Sequence, residues 1–237
     1  MEIRIGIYDS HILLRHPPSL APHLKLVKEI SSYYPCECAR TVCASPSHRN
    51  EFLPTNGVIH VRPEDPLKVA SFFGRALRNY YGPNTKRFAL FHASAVSDGG
   101  GGTMFLGHHA WGKSTVLRGF VRSGYLYLSD DMASVGIGDG LLYPTLPVDP
   151  SLPSLSPSPP VPPKRVFIVR YLPEGDTLIE RMDWYEAYLF AMENLLNPGA
   201  ISNTALSTLI GVFSSAETYR ALYRDWRDVL NFVRGSI

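Results

Sequence analysis

Hydrophobic positions recur along this chain at two periods, and the switches between them mark out its elements. Ile3, Ile5 and Ile7 alternate with Arg4 and Gly6 and predict an opening strand. The stretch to about residue 50 reads as loose strand and turn, broken by Pro17, Pro18 and Pro22, and Leu24–Ser32 fits a short helix or a strand equally well. GVIHVR at 57–62 predicts a strand. Behind Pro66, the residues Leu67, Ala70, Phe73, Leu77 and Tyr80 fall at helical spacing and predict an amphipathic packing helix over Pro66–Tyr81. Phe88–Val96 is a near-continuous apolar run that predicts one strong strand. Asp98–Gly102, DGGGG, supplies a turn back into Met104-Phe105-Leu106, so these two strands should pair antiparallel.

Further on, Val116, Leu117, Phe120 and Val121 form the apolar face of a helix over Thr115–Ser123, and Tyr125–Leu128 predicts a strand that ends on Ser129-Asp130-Asp131. Lys164–Tyr171 predicts a strand, Pro173–Asp176 its turn and Thr177–Arg181 the return. Asp183 then caps a helix over Trp184–Leu196 that Asn197-Pro198-Gly199 terminates, with two more packing helices over Ile201–Phe213 and Ala216–Val233. Between these halves lies Gly136–Pro163, rich in proline from Pro144 onward. Few backbone donors and stiff φ angles predict an extended, polyproline-like surface loop near the acidic strand end, serving as a plain linker or as a lid or acceptor-docking segment. The expected organisation is an N-terminal strand and loop region over 1–56, packed on a main domain over 57–237 that carries a proline-rich surface loop at 143–163.

Composition narrows the class. A chain of 237 residues with 45% hydrophobic content can bury a large core, and with a net charge of +2 it has no basic run dense enough to argue for a nucleic-acid surface. No apolar run reaches the roughly 18 residues of a membrane helix. Glu2 and the lack of a small-residue cleavage site make the N-terminus a strand and not a signal peptide. The expectation is a soluble, cytoplasmic protein. Cys36, Cys38 and Cys43 could be drawn with His48 as a zinc site, but C-x-C-x4-C-x4-H is not a common ligand spacing, and free, partly buried thiols are the simpler reading.

The candidate chemistry lies between Thr103 and Val135. Met104-Phe105-Leu106 runs into GHHAWGKS, Gly107–Ser114, a literal match to G-x-x-x-x-G-K-[ST]. A strand before it, a helix after it and an acidic-tipped strand next supply the context that a phosphate-binding loop requires. Backbone N–H groups at a helix start carry partial positive charge, and glycine lets the backbone approach a phosphate closely. On this reading Gly107, His108, His109, Ala110, Trp111, Gly112, Lys113, Ser114 and Thr115 bind a nucleotide. Lys113, exposed in the loop, brings a point charge to the β- and γ-phosphates, and the Ser114 hydroxyl ligates Mg²⁺. Asp130 and Asp131 stand at the carboxyl end of a neighbouring strand, where ligands collect in open α/β sheets. One carboxylate can hold Mg²⁺ while the other orients or deprotonates an attacking hydroxyl. His92 lies in the strand expected to pair with the one that enters the loop, and it is either a packed core residue or part of the site.

FHASAV, then GHHAWGKST, then YLYLSDDMASV together resemble the catalytic domain of the HPr kinase/phosphorylase family and its shorter relatives. KRVFIVRY followed by TLIERMDWYEAYLFAMENLL is similar to the strand, hairpin and helix that come next in the shorter members. The resemblance runs from about residue 57 onward, with its specific motifs inside 91–135. It implies an α/β fold built on a P-loop-containing mixed sheet of the HPr kinase/PEP carboxykinase type, with C-terminal packing helices. It also implies that Asp130 is the acid/base carboxylate, that His92 assists it, that Lys113 acts on the phosphates and that Asp131 joins Ser114 at the metal. Ala110 stands where the family carries a third glycine, and a positive φ there costs alanine about 1 kcal/mol. Thr115 stands where the bifunctional members carry Glu, as in the smaller relatives, and no segment matches the family's grip on its protein substrate. The function expected is a Mg²⁺-dependent kinase that moves a phosphoryl group from ATP, or from ADP or another donor, to a hydroxyl in a peptide or small metabolite. The alternative is a nucleotide-binding regulatory protein with little or no transfer. Neither nucleic acid nor membrane is an expected partner, and a homo-oligomer is left open.

Overall fold

Helix α2, Pro66–Tyr81, forms over the span that its apolar stripe predicts, and Ala70 and Phe73 on that stripe, together with Val69 beside it, are fully buried. The structure, a computed structural model, describes residues 2–7, 10–16, 18–34, 39–46, 51–53, 58–61, 66–82, 85–149, 152 and 156–235. Among these the chain is a mixed α/β fold with six α-helices and both parallel and antiparallel strand pairs. No helix among the described residues is long and apolar enough to cross a membrane.

The first strands, β1 (Glu2–Ile7) and β2 (Ser10–Arg15), make a hairpin that β3 (Ala39–Pro46), β4 (Glu51–Leu53) and β5 (Val58–Val61) extend to a five-stranded sheet in the order β1-β2-β3-β5-β4. Because β5 pairs parallel with β3, this sheet runs past residue 57, the boundary expected from the sequence. The ambiguous stretch at 24–32 is helical, as α1 (Lys25–Ser31) preceded by a 3-10 turn. Leu20, Leu24, Val27 and Ile30 are buried in one cluster with Phe88, Phe105 and Phe120, and that shared core joins the N-terminal part to the rest. Cys36, Cys38 and His48 lie outside the described residues, and Cys43 lies in β3.

The main body uses β6 (Phe88–Phe91), β7 (Ala93–Ser97), β8 (Gly102–Leu106), α3 (Lys113–Arg122), β9 (Leu126–Ser129), β10 (Ala133–Gly136), β11 (Leu142–Tyr143), β12 (Pro163–Tyr171), β13 (Leu178–Arg181), α4 (Trp184–Glu193), α5 (Asn203–Ser215), β14 (Glu217–Tyr223) and α6 (Trp226–Gly235). Six strands form one sheet in the order β13-β14-β12-β8-β7-β9, and β11-β10-β6 form another. Its central strands are buried on both faces. Phe105 of β8 and Phe167 of β12 point into the core shared with α3 and α6, while Met104, Leu106, Val166 and Ile168 point into the core shared with α4 and α5.

Four features differ from the sequence reading. The apolar run Phe88–Val96 is two strands that part at His92, with β6 pairing to β10 and β7 pairing to β8 and β9. The expected return strand β13 pairs with β14 and not with β12, because β14 inserts parallel between them. The expected third packing helix is strand β14 followed by α6. The ETYRALY stretch buries Thr218, Tyr219, Ala221 and Tyr223 within the sheet, where it pairs with both β12 and β13. The proline-rich stretch is also not a plain surface loop. Pro144 to Pro147 are buried, the Tyr127 N–H donates to the Ser156 carbonyl, the Ser158 N–H returns to Tyr127, and Leu142 and Val161 exchange a pair of bonds. Pro157 stands between the pairing residues Ser156 and Ser158, where no N–H is required.

Asn197, the expected helix terminator, is a buried clamp. Its Oδ1 accepts the Leu90 N–H, and its Nδ2 donates to the carbonyls of Thr85 and Phe88. Asn197→Ala strands one donor and two acceptors, and at about 1–3 kcal/mol for each buried group left unmade the variant should lose roughly 3 kcal/mol or more of stability in urea unfolding. A loss below about 1 kcal/mol would mean that water replaces the side chain at no cost.

Candidate active site

Strand β8 ends at Leu106 and α3 starts at Lys113, so Gly107–Gly112 must turn the chain between them. Gly112 does so at φ 91°, and Ala110 at φ 63° is the one non-glycine residue at positive φ among those described. The strain anticipated for Ala110 is therefore present, at about 1 kcal/mol. A side chain on Gly107 would run into the Val169 carbonyl, so only glycine passes there. The start of α3 has no side-chain cap, which leaves its first-turn N–H groups without a side-chain acceptor. Trp111 holds the loop down. Its ring meets the His108 ring at 4.4 Å, stacks on Phe190 at 6.1 Å and lies 5.3 Å from the Arg170 guanidinium. The Tyr171 N–H donates to the Trp111 carbonyl and the Tyr223 hydroxyl to the Gly112 carbonyl, which ties the loop to β12 and β14. His108, His109, Ala110, Ser114 and Thr115 are exposed.

Lys113 is not exposed as expected, but only 6% accessible. Its ammonium donates to the carbonyls of Gly107 at 2.6 Å and His108 at 3.0 Å, and meets His92 Nε2 at 3.1 Å. Burial pushes its pKa down, and the nearby Asp131 carboxylate pulls it back up. An ammonium has no lone pair to offer, so His92 Nε2 accepts and the ring proton is assigned to Nδ1. Nδ1 in turn faces Asp131 Oδ1 at 3.3 Å. The ring is placed for this by the break between β6 and β7, where the His92 N–H is taken by the Asn194 carbonyl at 2.8 Å. Lys113, His92 and Asp131 thus form a continuous line from the loop to the acidic strand end.

The expected pairing of His92 with Asp130 is not formed. Asp130 is 4% exposed, and its Oδ2 accepts the N–H groups of Val148 at 2.8 Å and Asp149 at 2.6 Å. Its Oδ1 accepts the Tyr127 hydroxyl at 3.1 Å. Burial raises the Asp130 pKa against the pull of these bonds, and burial together with Asp130 keeps Tyr127 a phenol. Asp130 is in effect a bolt between β9 and the start of the proline-rich stretch. Asp149 pairs with Arg118 on α3, and Ser71 of α2 donates to the Val148 carbonyl, so Val148 and Asp149 are held from three sides.

Beside the His92–Asp131 edge opens a cavity of about 410 Å³. Asn79, Leu90, Met132 and Leu196 line it together with those two residues. None of the four carried a signal in the sequence. They meet because β6 pairs with β10 and because the Leu196 N–H donates to the Leu90 carbonyl. Among the described residues no group of three or more His, Cys, Asp or Glu could hold a metal ion unaided.

The bolt can be measured. Removing an ionised acceptor forfeits about 1.5–3 kcal/mol per hydrogen bond, so Asp130→Ala should speed hydrogen exchange at the Val148 and Asp149 amides by roughly tenfold or more. Unchanged protection of both would show that Arg118 and Ser71 hold the segment without it. No protein-family model matches this chain, and no curated protein matches its sequence, so the chemistry of the site rests on its own geometry.

Proposed function

We propose that the protein is a Mg²⁺-dependent kinase, built on a P-loop domain of the HPr kinase/PEP carboxykinase type, that transfers a phosphoryl group from a nucleotide to a hydroxyl acceptor. The observation that carries this is the line Lys113–His92–Asp131, which links a G-x-x-x-x-G-K-S loop to a carboxylate at the mouth of a cavity. Phosphoryl transfer asks little covalent work of a protein and much positioning and charge neutralisation. The loop and the uncapped start of α3 receive the phosphate chain, and Lys113 exchanges its loop carbonyls for phosphate oxygens. His92 Nε2, released by that exchange, accepts the proton of an acceptor hydroxyl lying in the cavity. Asp131, on Nδ1, orients the ring and balances the charge that develops on it. The acceptor oxygen then bonds to the terminal phosphorus, and the electron pair of the broken bridging P–O bond stays with the departing nucleotide. Asp130 acts at one remove, by holding the 144–149 segment against the acidic strand end.

Mg²⁺ is usually bound by one or two protein oxygens together with substrate phosphates and water. The exposed Ser114 hydroxyl and Asp131 would hold it, and it would neutralise phosphate charge there.

Two outcomes test the reading. Lys113→Met keeps the volume and loses the charge, so calorimetric titration with Mg²⁺-nucleotide should record roughly ten- to a hundredfold weaker binding, the worth of a charge-assisted contact, in a protein that still folds. Equal affinity would remove the phosphate-loop assignment. For the second, His92→Ala should leave nucleotide affinity within a few-fold while transfer falls by about 10²–10⁴, the usual contribution of a positioned acid or base. Tight nucleotide binding by the wild type with no transfer to any hydroxyl would favour the regulatory protein instead.

A further inference from the structure

On the kinase reading, on which this inference rests, the sheet gives the phosphoryl donor a direction. The strand order runs β14-β12-β8-β7-β9, and the phosphate loop leaves β8. Ala93 at the start of β7 is level with Leu106 at the end of β8, so His92 stands beside the loop on one flank. Asp131 follows β9 on that same flank and faces His92 Nδ1. Attacking and leaving oxygens lie roughly in line in phosphoryl transfer, so an acceptor activated by His92 drives the departing group away from His92. The rest of the donor therefore runs toward the opposite flank, where β12 lies parallel to β8 and ends beside the loop.

Tyr171 closes β12 there. Phe167 and Val169 point into the core shared with α3, and strand alternation turns Tyr171 to the same face. Its β-carbon lies against the start of α3, only 3.1 Å from where a β-carbon on Gly112 would stand. The Tyr171 N–H donates to the Trp111 carbonyl at 3.0 Å. Its ring meets, at 5.7 Å, the ring of buried Tyr223, whose hydroxyl donates to the Gly112 carbonyl. Tyr171 is thus fastened to the loop, yet 46% exposed. Trp111, on the loop itself, is instead packed against His108, Phe190 and Arg170. A phenol ring anchored beside a phosphate loop and open to solvent is a surface on which an aromatic base can stack, because every base has a π-face.

We infer that Tyr171 binds the base of the phosphoryl donor, and that the donor is a nucleotide and not a bare inorganic polyphosphate.

The experiment titrates the full chain in a calorimeter with Mg²⁺-ATP and with Mg²⁺-tripolyphosphate, which has the phosphate chain without ribose or base. The wild type should bind ATP about tenfold or more tightly than tripolyphosphate. Tyr171→Ala should lose roughly tenfold in ATP affinity, the worth of one stacked base, and stay within about twofold of wild type for tripolyphosphate. Tyr171→Phe keeps the ring face and should bind both ligands as the wild type does. Equal wild-type affinity for the two ligands overturns the inference, as does an ATP affinity that Tyr171→Ala leaves untouched. A parallel loss for both ligands in Tyr171→Ala overturns it too, because the side chain would then only brace the loop. So does a Tyr171→Phe variant as weak as Tyr171→Ala, since the hydroxyl and not the ring face would be at work. Binding of neither ligand by the folded wild type strikes the kinase reading itself, and the two failures are thereby told apart.

Discussion

An ammonium group can leave water only if each of its protons finds an acceptor, and much of this structure is arranged around that requirement at Lys113. Two acceptors are carbonyls of the loop that precedes it, so the loop must curl back over its own lysine. That curl forces Ala110 and Gly112 into positive φ and brings Trp111 onto Phe190 and Arg170. The third acceptor is His92, which can reach only because the chain leaves one sheet and enters another at that residue. Once Nε2 is committed to an ammonium, the ring proton lies on the other side, and Asp131 is drawn to it. One desolvated charge thus sets the loop, the ring tautomer and the carboxylate.

The second constraint is the contrast between two adjacent aspartates. Consecutive residues leaving a strand point to opposite sides, so Asp130 and Asp131 cannot share an environment. Asp130 turns inward, where a buried carboxylate is tolerable only with its lone pairs filled, and Tyr127, Val148 and Asp149 fill them. Asp131 turns toward His92 and the cavity. A single acidic tip therefore divides into a structural group that fastens the proline-rich stretch and a group available to chemistry. On the proposed mechanism this division matters, because the fastened stretch covers the buried side of the strand end while leaving the cavity side open to an acceptor.

Features that depend on residues within a turn or two of one another were legible in the sequence. The stripe of α2 reports its own burial, and Asp183 caps α4 by accepting the Tyr185 N–H. The succession of β8, loop, α3 and β9 follows from apolar periodicity and from two glycines set ahead of a lysine. What escaped was which elements lie side by side. Glu217–Tyr223 can be written on a helix as readily as on a strand, and its place beside β12, parallel and across some fifty residues of chain, decided the matter. The same insertion separated β13 from β12. Nothing local distinguishes a strand through His92 from two strands that part there, since the difference lies in what Phe88–Phe91 and Ala93–Ser97 pair with.

The amino-acid sequence by itself therefore determined the alphabet of the candidate site: a glycine-framed lysine and serine, a histidine upstream and two carboxylates at a strand end. Tertiary structure alone decided that the histidine answers to Asp131, that Asp130 is spent on backbone amides, and that Asn79, Leu90, Met132 and Leu196 wall one cavity. The physical reason is the same in each case. Covalent neighbours and helical period set conformation over a few residues, whereas burial, and the hydrogen bonds that burial compels, depend on surfaces contributed from distant parts of the chain.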